Sequence, residues 1–215
     1  MAAEKIILYG FYKSSSSWRL RIALALKGLE HKKVSLSLVK GEHLTDEFKA
    51  LNPMRQLPTL FIDGMHLSQS IPIMEYLEER NPSPPLLPRD KVARAKVRAL
   101  SEVVNSGIQP YQTVGVIKKV QETHKDWGHF YVSRGLEALN SLMQETAGRY
   151  SYGDQVTMAD ACLVPQVFSA LTRFSVDVTQ YPVVSRVYEE LNKLPEFKVA
   201  DARRQPDTPD AERID

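Results

Sequence analysis

Two rhythms of apolar and polar positions divide the chain. Over residues 5–80, short apolar runs alternate with helical stretches. "KIILYG" is a β-branched run ending in glycine, and "WRLRIALALKG" carries an amphipathic helical period closed by Gly28. "KKVSLSLV" alternates as a strand does, and "LTDEFKAL" predicts a short helix capped by Thr45. Asp63-Gly64 between two apolar runs predicts a hairpin in "LPTLFIDGMHLSQS". "SQSIPIMEYLEER" then predicts a helix, with Pro72 tolerable only in its first turn. The order βαβαββα implies a parallel pair extended by an antiparallel hairpin.

Residues 81–90, "NPSPPLLPRD", hold four prolines and predict a stiff connection. Beyond it the period is helical: one helix over "KVARAKVRALSEVVNSGIQP", others over "ETHKDWGHFYVSRGLEALNSLMQET" and "MADACLVPQVFSALTRF", and one over "PVVSRVYEELNKLPEFK". The tail "RRQPDTPDAERID" predicts an extended strap or disorder. The expected organisation is therefore an α/β domain at 1–83, a linker at 84–90 and an all-helical domain at 91–215. "VTMAD" marks a capping box between Thr157 and Asp160, with Val156 as hydrophobic staple, so Asp160 reads as a folding determinant.

Composition narrows the partners. Twenty-eight basic against 26 acidic residues give a net charge of +2, so neither nucleic acid nor an anionic membrane is indicated as main partner. A single cysteine, Cys162, excludes an internal disulfide or a cysteine-built zinc cluster and suits a reducing compartment. The N-terminal stretch lacks the apolar core of a signal peptide, and the expected location is the cytoplasm. No metal is expected.

Four serines, Ser14 to Ser17, open the first helix. One of them capping, with the rest idle in a turn, is the plainer reading of position alone. A helix N-terminus also collects unpaired amides and positive dipole, and hydroxyl donors there suit an anion such as a thiolate, whose pKa they lower. No G-x-S-x-G context supports a nucleophilic serine. Two other segments point the same way. Pro58 directly precedes a strand, where a cis peptide would leave the Leu57 backbone to pair with an extended ligand. Gln69 and Ser70 begin another helix, a second place for a carboxylate.

The segments "SSSSWRLRIALALKG", "LNPMRQLPTLFIDG", "QSIPIMEYLEE", "LLPRD", "GIQPYQ", "GDQVTMADACLVPQV" and "RQPDTP" resemble, in order along the whole chain, the zeta-class glutathione transferases, the maleylacetoacetate isomerase family. The resemblance implies a thioredoxin-like glutathione-binding domain followed by an all-helical domain contributing the co-substrate site, as a homodimer. It implies glutathione as cofactor, with Ser14, Ser15, Ser16, Ser17, Trp18 and Arg19 around its sulfur and Ser14 or Ser15 as activating hydroxyl. Leu57 and Pro58 would meet its cysteinyl part, Gln69 and Ser70 its γ-glutamyl carboxylate, and His43 would stand in for a glutamine-like contact. Gln109, Thr113, Val114 and Gly115 would approach from the helical domain, and Arg19 and Arg173 would hold substrate carboxylates. The implied activity is cis–trans isomerisation of maleylacetoacetate in tyrosine and phenylalanine catabolism, with transferase activity on small α-halo acids. The family motif reads Ser-Ser-Cys-x-Trp, whereas this chain has Ser16 at the cysteine position, which implies loss of thiol-dependent side reactions. A non-catalytic scaffold of the same fold is the competing reading, and a glutaredoxin-type reductase would need a cysteine at this helix start.

Overall fold

The computed structural model describes residues 5–214. Met1–Glu4 and Asp215, which open and close the two expected domains and include the start of the N-terminal stretch read above, lie outside the described residues. The chain separates into two compact units, 1–84 joined by 195–215, and 85–194.

The first unit is built on a four-stranded sheet in the order β2-β1-β3-β4. Strand β1 (Ile7–Gly10) pairs in parallel with β2 (Lys32–Ser35) and antiparallel with β3 (Thr59–Ile62), which continues into β4 (Met65–Ser68). The hairpin turns at Asp63 and Gly64, φ 50° and 79°, a left-handed pair that explains the Asp-Gly signal. Helix α1 (Ser15–Leu26), α2 (Asp46–Leu51, capped by Thr45) and α3 (Ser70–Arg80) complete the expected βαβαββα order.

Helix α1 departs from its amphipathic reading. Every residue from Ser17 to Leu24 is buried, including Arg19 and Arg21, because α3 lies against one side and α10 (Pro195–Ala200) against another. The last residues thus belong with the first unit rather than with the expected 91–215 helical domain. The tail is ordered there, with short 3-10 turns at Ala202–Arg204 and Asp210–Glu212. At the other end of α1 the Lys27 ammonium is buried on the Glu78 carboxylate (2.6 Å) and the carbonyls of Asn81 and Pro84 (2.6 Å each).

The second unit is helical: α4 (Lys91–Glu102), a π-helical turn at Val103–Ile108, α5 (Gln109–Gln112), α6 (Val114–Val120), α7 (Trp127–Thr146), α8 (Met158–Arg173) and α9 (Pro182–Leu191). The single helix expected over 91–110 is interrupted by the π turn, which contains Gly107. The helix expected over 182–198 breaks before Pro195, whose ring cannot continue it. The capping box forms as read: the Asp160 carboxylate accepts the amides of Thr157 (2.7 Å) and Ser151 (2.8 Å) and the Thr157 hydroxyl (3.1 Å).

Candidate functional site

One end of the sheet gathers the candidate segments of the first unit. Register places Tyr9 beside Val34 on one side and Thr59 on the other, and Thr59 beside Ser68. Strands β1 and β4 therefore finish, and β3 begins, at the same edge, about 4.8 Å apart in sequence of strands. Immediately beyond that row lie the loop to Ser14, the Leu57–Pro58 peptide and Gln69. Helices α1 and α3 both start there, so both positive dipole ends face the same edge.

The serines divide into different tasks. Ser14 is half-buried and caps α1, its hydroxyl oxygen accepting the Ser17 amide at 3.3 Å. A hydroxyl that accepts keeps its own proton to donate, so capping does not consume Ser14 as a donor. Ser15 and Ser16 are half-buried in the first turn. Ser17 is fully buried: its oxygen accepts the Phe11 amide (3.5 Å), and a side chain at Gly10 would meet it at 3.3 Å. Its hydroxyl packs against β1, and Trp18, 2% exposed, is likewise core. These two positions pack the helix that carries the site against the sheet and core.

Arg19 lies in the same buried stretch. It is 0% exposed and donates to the Ser70 hydroxyl at 3.2 Å. The enclosed guanidinium joins α1 to the start of α3 and adds positive charge there.

The Leu57–Pro58 peptide is cis. Among the described residues the Leu57 amide and carbonyl take no backbone partner. Asn52 braces the turn, donating to the Gln56 carbonyl (2.8 Å) and the Thr59 hydroxyl (3.1 Å). Gln69, exposed, caps α3 with φ 70°, a conformation a non-glycine residue adopts at a cost, and its amide nitrogen reaches Gln56 at 3.5 Å. His43 sits in a short 3-10 turn, half-buried. Burial pushes its imidazole below the ordinary range, and its buried Nδ1 has no hydrogen-bond partner. An open backbone segment and two helix starts at one sheet end suit an extended anionic ligand.

The second-unit candidates are placed as follows. Gln109 opens α5 directly after the π turn. Thr113, Val114 and Gly115 are exposed at the start of α6, the Thr113 hydroxyl donating to the Pro110 carbonyl at 3.1 Å. Arg173 ends α8, exposed, with its guanidinium 4.9 Å from the Phe174 ring and no carboxylate partner among the described residues. Beside these, Gln112 and Gln166 exchange two buried amide hydrogen bonds, 2.9 and 3.0 Å. Sequence reasoning overlooked a second set in the first unit, Tyr12, Arg21, Lys33 and Asp207. Its one local signal was a second arginine inside an otherwise apolar helix.

Comparison with known proteins agrees with this geometry. Residues 13–80 match the family described as "Glutathione S-transferase, N-terminal domain". The maleylacetoacetate isomerase of Mus musculus is 51% identical, covering 97% of this chain and 98% of its own. A bacterial zeta-class maleylpyruvate isomerase superposes with a TM-score of 0.90 at 40% identity, covering 94% of this chain and 100% of its own. The maleylacetoacetate isomerase of Anaeromyxobacter dehalogenans, solved with glutathione bound, gives 0.88 at 43% identity and covers 97% and 100%. Another structure of that protein holds dicarboxyethyl glutathione and citrate. Among the described residues no helix is long and apolar enough to cross a membrane.

Proposed function

The chain belongs to the zeta-class glutathione transferase family, and from that premise we propose that it is a glutathione-dependent maleylacetoacetate isomerase with transferase activity on small electrophiles such as α-halo acids. The observation that carries the reading is the convergence of the Ser14–Ser16 helix start, the unpaired Leu57 backbone and the Gln69–Ser70 helix start on one sheet edge. Glutathione, when bound, supplies a thiolate that adds to a conjugated double bond and departs after rotation. The chain's part is to bind, orient and hold charge. The hydroxyls of Ser14, Ser15 and Ser16 donate toward the sulfur and favour its ionised form. Leu57 pairs through its backbone in the manner of an added strand, with Pro58 shaping the turn, and His43 contributes its unmatched nitrogen. Gln69 and Ser70 receive a carboxylate at the α3 terminus, with the buried Arg19 charge behind them.

Arg173, an exposed cation lacking an acidic partner among the described residues, is assigned to a substrate carboxylate. The dicarboxyethyl glutathione and citrate in the bacterial relative favour acidic substrates of this kind. Gln109 and the Thr113–Gly115 stretch belong to the same assignment as glutathione contacts. Ser16 leaves the isomerase step in place and removes mixed-disulfide chemistry at that position. A place in tyrosine and phenylalanine breakdown, a cytoplasmic location and a homodimer complete the reading.

Retention on immobilised glutathione, followed by spectrophotometric isomerisation of maleylacetoacetate with and without glutathione, tests the proposal. Turnover strictly dependent on glutathione is expected. No retention, or equal rates without the tripeptide, would overturn it.

A further inference from the structure

The loop that delivers Ser14 is gripped from both sides by charged groups that the chain brings together from distant positions. On its carbonyl side, Arg21 donates to Tyr12 O (3.0 Å) and Phe11 O (3.5 Å), while its Nε donates to Ala200 O (2.9 Å). The Phe11 carbonyl in turn accepts the Ser14 amide at 3.1 Å, so the clamp reaches the serine directly. On the amide side, Asp207 accepts the Tyr12 N–H at 2.9 Å through one carboxylate oxygen and the Lys33 ammonium of β2 at 2.5 Å through the other. Arg21 is 3% exposed and the Asp207 side chain 16%, so these contacts operate with little solvent screening.

The strap is built to aim that carboxylate. The Gln205 side chain donates to the carbonyls of Val199 (3.0 Å) and Asp201 (2.7 Å), and its amide donates to the Thr208 hydroxyl (3.1 Å). The same hydroxyl donates to Ala202 O at 2.6 Å, and Pro206 and Pro209 flank the pair. The "RQPDTP" segment is thus a rigid bracket with Asp207 at its tip.

We propose that Asp207, acting with Arg21, is a positioning residue for the sulfur site, holding the 11–13 loop so that the Ser14 hydroxyl stays directed at the thiolate. The inference rests on the assignment of Ser14–Ser16 to the glutathione sulfur. It makes the C-terminal bracket part of the machinery that ionises the thiol, although no strap residue need touch the ligand.

The sign of one measurement separates positioning from bare charge. Replacing Asp207 by Asn removes a negative group and leaves Lys33 and Arg21 less compensated, so a purely Coulombic effect would stabilise a nearby thiolate and lower its pKa. Loss of positioning raises it. The experiment titrates the ultraviolet thiolate absorbance of enzyme-bound glutathione for wild type, Asp207→Asn and Lys33→Met, the last removing from β2 the ammonium that reaches Asp207 and, at 3.4 Å, the Gln205 side-chain oxygen. Both variants are expected to raise the bound thiol pKa by about one unit, a roughly tenfold loss of thiolate preference. Turnover should fall in step, with a smaller change in glutathione binding. An unchanged or lowered pKa in Asp207→Asn, or no shift in Lys33→Met, overturns the inference. Wild type that binds glutathione without lowering its thiol pKa would instead remove the serine assignment, and this inference with it.

Discussion

Replacing Ser14 by Ala and by Asp separates two properties that one hydroxyl combines. As cap, its oxygen accepts the Ser17 amide at 3.3 Å; as proposed donor, its proton points to the sulfur. Ser14→Ala removes both. The lost cap costs about 1 kcal/mol of stability, and the lost donor lowers turnover on the order of 100-fold, as for one oxyanion-type contact. Ser14→Asp keeps an excellent cap and even improves the match to the positive helix end, so stability should equal or exceed wild type. It places a carboxylate beside the thiolate, however. Two unit charges about 4 Å apart repel by about 1 kcal/mol in water and about 4 kcal/mol near a protein surface. That corresponds to a rise of about 1–3 units in the bound thiol pKa. Thermal melts of the apo protein and ultraviolet titration with glutathione read the two quantities independently. A Ser14→Asp protein with wild-type thiol pKa would refute the donor role, and a Ser14→Ala protein with undiminished stability would refute the capping role.

Further outcomes follow from groups already placed. Asp160→Ala leaves the buried amides of Ser151 and Thr157 without their acceptor, and at about 1–3 kcal/mol for each orphaned group the second unit should lose about 3 kcal/mol in urea titration. Acid should loosen the C-terminal bracket. Burial by itself would raise the Asp207 carboxyl, but Lys33 and the Tyr12 amide outweigh it and hold the group below the usual carboxylate range. A depressed folded-state pKa gives stability that is present above about pH 4 and lost as pH falls through the folded value. Protection of the Tyr12 amide from hydrogen exchange, taken relative to the intrinsic rate at each pH, should therefore fall at acid pH in wild type, and protection independent of Asp207 protonation would contradict the contact.

Much of the first unit was legible because its signals are local. The Asp63-Gly64 turn, the Thr45 cap and the switch from alternating to helical spacing each occupy a few neighbouring residues. The same holds for Thr157 and Asp160. What escaped depends on partners far along the chain. Arg19 and Arg21 are two residues apart and so on opposite sides of α1, and only the arrival of α3 and α10 encloses both. The tail reads as polar and proline-rich, and its order comes from Lys33 and Tyr12, more than 170 residues earlier. The π turn at Val103–Ile108 keeps an apolar helical period while shifting its phase, so periodicity ran through it unbroken. At the site, residue types marked the helix starts but not the division of labour among four adjacent serines, which is set by the approach of Ser17 to Gly10.

Because the first unit takes in residues from both ends of the sequence, its assembly on the ribosome is necessarily delayed. Residues 85–194 must be synthesised before α10 and the bracket emerge, an interval on the order of ten seconds at typical translation speeds. Through that interval the nascent sheet and α1 carry an uncovered flank, with Arg21 awaiting the Ala200 carbonyl and Lys33 and the Tyr12 amide awaiting the Asp207 carboxylate. A stop codon late in the message would therefore strike the earliest-made half of the protein, leaving the later-made helices to fold undisturbed.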